Sequence, residues 1–258
     1  MKNYQNDNNI LNVKNKFILE KIFDNLNEIR LLKVIKHNKN LKKILNKGVN
    51  DYKKYSNIII EEIPFMPYQK GTKGFIDIKY DKNYYHIYFN DDTEEIKWNY
   101  FTSGDNVQKI KIVLDYRIQS LNGIFSSWKW IKKANFINFK RNNINSFNNL
   151  FIESSVEEIN FYDFPEKSIT NMKELFNGCK SLKTINWYSF DTSNVTNMSG
   201  MFNYCSIESL NLSNFDTSKV TDMNGMFGEL NELEVLDLSN FRTENVIDMT
   251  SMSGNVIN

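Results

Sequence analysis

The pattern of apolar and polar positions returns at a fixed interval through the second half of the chain. The block VTNMSGMF at Val195–Phe202 reappears as VTDMNGMF at Val220–Phe227. The phenylalanine that closes each block recurs every 25 or 26 residues. These closing positions are Phe125, Phe151, Phe176, Phe202 and Phe227, and the next equivalent position is Ser253. An interval of this length is typical of a repeat protein.

Each repeat unit has two differently patterned halves. Before the closing phenylalanine, apolar residues fall at i, i+3, i+6 and i+7, as in Val195, Met198, Met201 and Phe202. This spacing predicts a short helical or 3₁₀ turn with one buried side. The second half alternates, as in Ile159 and Phe161, and predicts one short strand. Stacked units would bury these faces and align the strands in a parallel sheet.

The repeats resemble a known family. The segments FDTSNVTNMSGMF and LNLSNFDTSKVTDMNGMF resemble the BspA-like repeat, a leucine-rich-repeat variant of bacterial and protist surface proteins. The resemblance is close over Ser168–Ser253 and weaker over Ile118–Lys167. It implies a right-handed solenoid with a protein-binding or adhesive role, and it implies no catalytic residue.

The N-terminal part carries helical spacing. Residues 1–13 are polar and Asn-rich and predict a flexible tail, whereas residues 14–57 predict two or three short helices. The stretch FILEKIFDNLNEIRLL resembles an F-box-like motif, which implies contact with a Skp-type adaptor. The usual Leu-Pro opening is absent, because no proline precedes Pro64. The alternative is a helical cap that covers the end of the solenoid.

Residues 58–116 are predicted to be rich in strands and to join the helical head to the repeats of 117–258. The segments that carry strand patterns are Ile58–Ile63, Phe75–Tyr80, Tyr84–Phe89, Glu95–Phe101 and Ile110–Leu114. The turn NDDTE predicts a hairpin between the third and fourth of them, and the fifth could also belong to a degenerate first repeat. The predicted fold is therefore α+β: a small helical bundle, a short antiparallel joint, and a leucine-rich-repeat-like solenoid with one parallel strand per unit.

Charge is distributed unevenly although the net charge is only +1. From Glu153 to the end there are 16 acidic and 6 basic residues, whereas Arg30–Lys54 has 9 basic residues and one acid. The basic run is interpreted as a solvated helix face, with nucleic-acid or anionic-membrane contact as the alternative. The abundance of asparagine is attributed to nucleotide bias in the genome rather than to a functional ladder.

The residues that usually carry catalysis are sparse. The chain has two histidines, His37 and His86, and neither stands at metal-ligand spacing from a second ligand. We therefore predict no catalytic, cofactor-binding or metal-binding residue, no cofactor and no small-molecule substrate. Cys179 and Cys205 lie one unit apart and are interpreted as buried free thiols, with a disulfide as the alternative. In the two FDTS segments, Asp and Ser predict turn capping rather than a calcium ladder.

These features predict a non-catalytic protein-interaction module. The repeats would bind a protein partner, with the outward positions of the strands as the expected contacts. We find no signal-peptide pattern and no apolar run of the roughly 20 residues that a membrane span needs, which predicts a cytoplasmic adaptor. The alternative is a cell-surface or adhesion protein, as the resemblance to BspA-like repeats suggests.

Overall fold

Within the residues that the structure describes, six strands form a single mixed sheet in this computed structural model. The strands are β1 (Ser56–Glu61), β2 (Tyr85–Phe89), β3 (Ile110–Leu114), β4 (Lys133–Ile137), β5 (Glu158–Phe161) and β6 (Thr184–Asn186). Their order across the sheet is β2-β3-β1-β4-β5-β6. The structure describes residues 56–61, 76, 78, 84–96, 106–114, 118–137, 139, 144–162, 164 and 168–252, all within the compact part Tyr55–Asn258.

Strand direction changes in the middle of the sheet. β1 pairs antiparallel with β3 on one side and with β4 on the other, so that Ile58 is opposite both Ile112 and Phe136. β4, β5 and β6 then run parallel, with Ala134 opposite Ile159 and Ile159 opposite Ile185. β1 therefore joins the antiparallel strands to the strands of the repeats, because its backbone is bonded on both edges.

The predicted fold class, a helical bundle, a short antiparallel joint and a leucine-rich-repeat-like solenoid, is wrong, because the described residues form one mixed sheet of six strands. The described residues contain no helix, and the antiparallel strands belong to the same sheet as the repeat strands rather than to a separate joint. β3 pairs antiparallel with β1 and β2, so it is not the strand of a first repeat. Among the described residues, three repeat units contribute a strand (β4, β5 and β6), whereas one strand per unit was predicted. The tail 1–13 and nearly all of the predicted helical region 14–57, including the F-box-like motif, lie outside the described residues.

Consecutive tight turns replace the predicted short helices, and we call each such series a turn run. The turn runs are residues 122–127, 148–153, 173–178, 199–204, 224–229 and 250–252. Each turn run contains a residue with positive φ two positions before the closing position, and the complete runs contain another four residues later. The positions are Gly123 and Ser127, Asn149 and Glu153, Glu174 and Gly178, Gly200 and Tyr204, Gly225 and Glu229, and Ser251, with φ between 51° and 71°. A residue in this region cannot continue a right-handed helix. The three-residue apolar spacing therefore arises from repeated turns.

Backbone hydrogen bonds hold each unit to the next. The N–H of Phe125 donates to the carbonyl of Leu150 at 3.0 Å, and the N–H of Phe151 donates to Leu175 at 3.0 Å. The same bond continues from Phe176 to Met201 at 2.9 Å. Alternate residues of the first five turn runs donate in this way, whereas the residues between them bond within their own turn. The 25- to 26-residue interval therefore determines which backbone N–H of one unit pairs with which carbonyl of the next.

Stacked side chains fill the core. The closing phenylalanines have no exposed surface, and each ring stacks on the next with centroids 5.2–5.9 Å apart. A second column includes Phe136, Phe161 and Trp187, with successive ring centroids 4.8 and 5.3 Å apart. It packs beside the first column through contacts such as that of Phe136 with Phe151. Burial of large aromatic rings in register gives the units a common core, which a single unit could not form.

Side-chain hydrogen bonds replace the predicted strands in the last two units. Alternation predicts strands at Leu210–Leu212 and Leu236–Leu238, yet neither is a strand. Asn211 Oδ1 instead accepts the N–H of Ser213 at 3.0 Å, and Asp237 Oδ1 accepts the N–H of Ser239 at 2.9 Å. Such short-range bonds compete with strand pairing for the backbone.

Candidate functional site

One of the two histidines, His86, has a side-chain partner. His86 lies on β2, and its Nδ1 is 3.0 Å from Glu95 Oε1. His37 lies outside the described residues. Among the residues that the structure describes, no group of three His, Cys, Asp or Glu side chains could hold a metal ion. In the same part of the chain, no helix has the length and apolar character to span a membrane.

The two cysteines are free and buried, as the packing interpretation predicted. Each thiol donates a hydrogen bond to a carbonyl of the preceding unit, Cys179 to Phe151 at 3.0 Å and Cys205 to Phe176 at 2.9 Å. Burial raises the pKa of Cys179 to about 12 and raises the pKa of Cys205 well above its ordinary value. Both thiols therefore stay protonated at neutral pH and are poor nucleophiles.

Threonine, rather than aspartate, makes the longer-range bonds of the FDTS segments. Asp191 Oδ1 accepts the N–H of Ser193 at 2.8 Å, as predicted, although a turn and not a helix follows. Thr192 is buried, and its hydroxyl donates to the carbonyl of Asp216 at 3.1 Å and accepts the N–H of Asp216 at 2.8 Å. The sequence analysis missed this role, although the threonine is common to FDTS, FDTS and FRTE.

The outward side chains of β4, β5 and β6, together with two tyrosines that follow β5 and β6, form the surface that we call the outer sheet face. The alternate residues Ala134, Phe136, Ile159 and Phe161 enter the core. The residues between them lie on the opposite face, which is where the sequence predicted contacts. The outer sheet face consists of Lys133, Asn135, Glu158, Asn160, Tyr162, Thr184, Asn186 and Tyr188.

A ladder of asparagine side chains runs through the middle of the outer sheet face. Asn186 Nδ2 donates to Asn160 Oδ1 at 2.7 Å, and Asn160 Nδ2 donates to Asn135 Oδ1 at 2.8 Å. Asn135 Nδ2 then donates to Glu61 Oε2 on β1 at 2.8 Å. At these three positions the asparagine amides tie the repeat strands to one another and to β1.

Opposite charges line the start of the strands. Glu157 forms ion pairs with Lys132 and with Lys183, the latter at 2.6 Å. The hydrogen bond from Lys132, followed by that from Lys183, lowers the pKa of the Glu157 carboxyl. The hydrogen bond from Asn160 is the main cause that lowers the pKa of Glu158, and Lys133 adds to it from 3.0 Å. These carboxylates are therefore charged at neutral pH.

Two tyrosines form the exposed aromatic part of the outer sheet face. The rings of Tyr162 and Tyr188 stack with centroids 4.6 Å apart and planes 23° from parallel. A hydrogen bond with Tyr188 is the main cause that raises the pKa of Tyr162. Tyr188 is 59% exposed and has a φ of 35°, which is unusual for an aromatic residue. The pair thus combines a partly buried ring, Tyr162, with an exposed one, and exposed aromatic rings are enriched at protein interfaces.

Tyr88 makes a cross-strand contact in the antiparallel part of the sheet. It lies on β2 opposite Lys111 on β3, and the Lys111 Nζ atom is 5.7 Å from the centroid of the Tyr88 ring. Such cross-strand pairs are the usual environment of aromatic residues on an antiparallel sheet. The predicted hairpin itself is present as an antiparallel bridge between Ile87 and Ile96.

One protein family matches this chain. The sequence model described as "Mycoplasma protein of unknown function, DUF285" matches residues 94–205 and also residues 170–257. Together the two matches include the repeats, β4 to β6 and the outer sheet face. No curated protein and no solved structure matches the chain.

Proposed function

The chain belongs to the DUF285 family, and we propose that it is a non-catalytic module that binds another protein through the outer sheet face. The stacked pair of Tyr162 and Tyr188 is the observation that carries this proposal. Interfaces between proteins are enriched in tyrosine, which offers a large contact area with little loss of side-chain entropy. A pair whose outer member is 59% exposed gives the face such a contact.

The framework below the tyrosines supports the same proposal. Backbone hydrogen bonds and the ladder of Asn135, Asn160 and Asn186 hold the strands in one register. A surface that is already ordered loses less entropy when a partner binds. The ion pairs beside it, such as that of Lys183 with Glu157, give a charged rim, which contributes to specificity more than to affinity.

The cellular setting is part of the proposal. Cys179 and Cys205 are free thiols on neighbouring units, which supports a reducing compartment such as the cytoplasm. A membrane-impermeant amine reagent applied to intact cells provides the test. Protection in intact cells with labelling after lysis is the expected result. Labelling before lysis would contradict the cytoplasmic setting and would favour the surface or adhesion role.

Site-specific photocrosslinking tests the binding function. A benzophenone amino acid is placed at Thr184, an exposed position on the outer sheet face, in the full chain expressed in its own cells. The matched control carries the same group at Tyr204, which is 53% exposed in a turn run. We expect one discrete protein adduct from position 184 and none from position 204. An absence of adduct at 184, or the same adducts at both positions, would contradict the proposal.

A further inference from the structure

The aromatic stack on the outer sheet face stops after two rings. Tyr162 covers one side of the Tyr188 ring. The residue one unit further along is Ser213, and the next is Ser239; like Tyr188, each begins a two-residue turn. Within the described residues, no third ring stacks on Tyr188, which is 59% exposed. A small side chain at the next position therefore leaves the second side of the Tyr188 ring accessible to a planar group.

The chain on this side of Tyr188 is strongly acidic. No lysine or arginine occurs between Lys183 and Lys219. Glu208, Glu234 and Asp237 are exposed and form none of the ion pairs found among the described residues. Glu208 is close enough to Lys183 to help raise the pKa of that amine, after the larger effect of Glu157. The carboxylates thus begin beside β6 and continue through the following units.

An accessible ring on a strongly acidic part of the chain fits one common side chain best. The guanidinium group of arginine is planar, stacks on an aromatic face and donates to carboxylates, whereas the ammonium group of lysine does not stack. A nucleic acid would be repelled by the acidic units. A neutral sugar could stack on the ring but would gain nothing from the negative charge.

We propose that the open side of Tyr188 binds an arginine side chain of the protein partner, which the acidic charge of the following units attracts. This inference rests on the proposed function and specifies its partner: a segment with arginine at the point where it crosses the tyrosine pair. The two tyrosines and the guanidinium would then form a stack of three planar groups, and the net negative charge of the following units would favour its positive charge.

Hexa-arginine and hexa-lysine peptides are the probes, because they have equal charge and differ in the ability to stack. We expect the full chain to bind hexa-arginine about three- to fivefold more tightly than hexa-lysine. Tyr188→Ala should bring this ratio to one, while Tyr188→Trp should keep or raise it. Tyr204→Ala is the control for an equally exposed tyrosine elsewhere and should leave the ratio unchanged. The double variant Glu208→Gln, Asp237→Asn should weaken both peptides.

Equal affinities for the two peptides in the unmodified chain would overturn the inference, as would an unchanged ratio in Tyr188→Ala. The Thr184 crosslink is measured with Tyr188 intact and uses no peptide, so the two proposals fail separately. A discrete Thr184 adduct without arginine preference overturns only the arginine site. Arginine preference without a Thr184 adduct overturns the proposed protein-binding function.

Discussion

The Thr217 hydroxyl holds both backbone groups of Arg242, one repeat unit away. It donates to the Arg242 carbonyl at 2.9 Å and accepts the Arg242 N–H at 2.7 Å. Thr217 is only 1% exposed, and Thr192 makes the same pair of bonds to Asp216. A buried threonine therefore links consecutive units where no strand is present to do so.

Replacing Thr217 with valine should lower the free energy of unfolding by about 1–2 kcal/mol. Valine keeps the shape but leaves the N–H and carbonyl of Arg242 without their partner. Denaturant unfolding followed by circular dichroism measures the change. Thr217→Ser keeps the hydroxyl and should lose clearly less, and Thr184→Val, at an exposed position, should stay within about 0.5 kcal/mol. Equal losses for valine and serine would show that the hydroxyl has no such role.

Phe202→Ala should lower the free energy of unfolding by about 3–5 kcal/mol, as expected for a large buried ring. The Phe202 ring has no exposed surface and stacks on Phe176 at 5.7 Å and on Phe227 at 5.9 Å. Equilibrium denaturation measures the loss. Tyr204→Ala, two residues away, removes a ring that is 53% exposed and should change stability by less than about 1 kcal/mol. Similar losses for the two variants would be inconsistent with a stacked phenylalanine core.

Asn160→Leu should lower the free energy of unfolding by about 1–3 kcal/mol. The substitution keeps the side-chain volume similar but leaves Asn135 Oδ1 and Asn186 Nδ2 without their bonds to residue 160. Thermal or denaturant unfolding of the full chain provides the measurement. Stability equal to that of the unmodified chain would mean that the ladder contributes little and that the asparagines are replaceable by apolar residues.

Alkaline pH should destabilise the protein through Cys179. Burial raises the folded-state pKa of this thiol to about 12, above the ordinary value of 9.0. Below pH 9 both states are protonated, and the contribution of the thiol to stability is fully present. Between pH 9 and about pH 12 the unfolded state ionises first, so the free energy of unfolding falls, by at most about 1.4 kcal/mol per pH unit.

The difference between the unmodified chain and Cys179→Ala isolates this effect from other groups that titrate in the same range. The unmodified chain should lose more stability between pH 8 and pH 10.5 than the variant does. Thiol alkylation at pH 8 gives a second measure, with slow reaction in the native protein and rapid reaction in denaturant. A parallel loss of stability in both proteins, or fast alkylation of the native chain, would contradict the buried thiol.

The sequence predicted the repeat interval and the buried columns because both depend on side-chain type at a constant spacing. The closing positions from Phe125 to Phe227 are all buried. The conformation of the turn runs was not predictable in this way. Positive φ occurs at Ser127, Glu153 and Tyr204 as well as at glycines, so residue type does not report it. The three-residue apolar spacing is common to a helix and to consecutive turns.

Partners that are distant in the chain were also missed. Alternation in Ile58–Ile63 indicates which residues face the core, but not that β1 pairs with β4, whose Phe136 lies opposite Ile58. The candidate site shows the same limit. Outward strand positions were predicted as contacts, but the stacking of Tyr162 on Tyr188 depends on the register of β5 and β6. Tertiary pairing fixes that register, and local pattern does not.

The ladder of backbone bonds has a direction that bears on how proteins of this kind change during evolution. Each turn run donates N–H groups forward, and the next run accepts them with its carbonyls, as Phe202 does to Met226. Every junction between units therefore has the same chemistry. Duplication or loss of one whole unit recreates that junction, whereas gain or loss of a few residues misaligns donors and acceptors. Lineages should thus vary in length by whole repeats, and small insertions should be confined to the loops between turn run and strand segment.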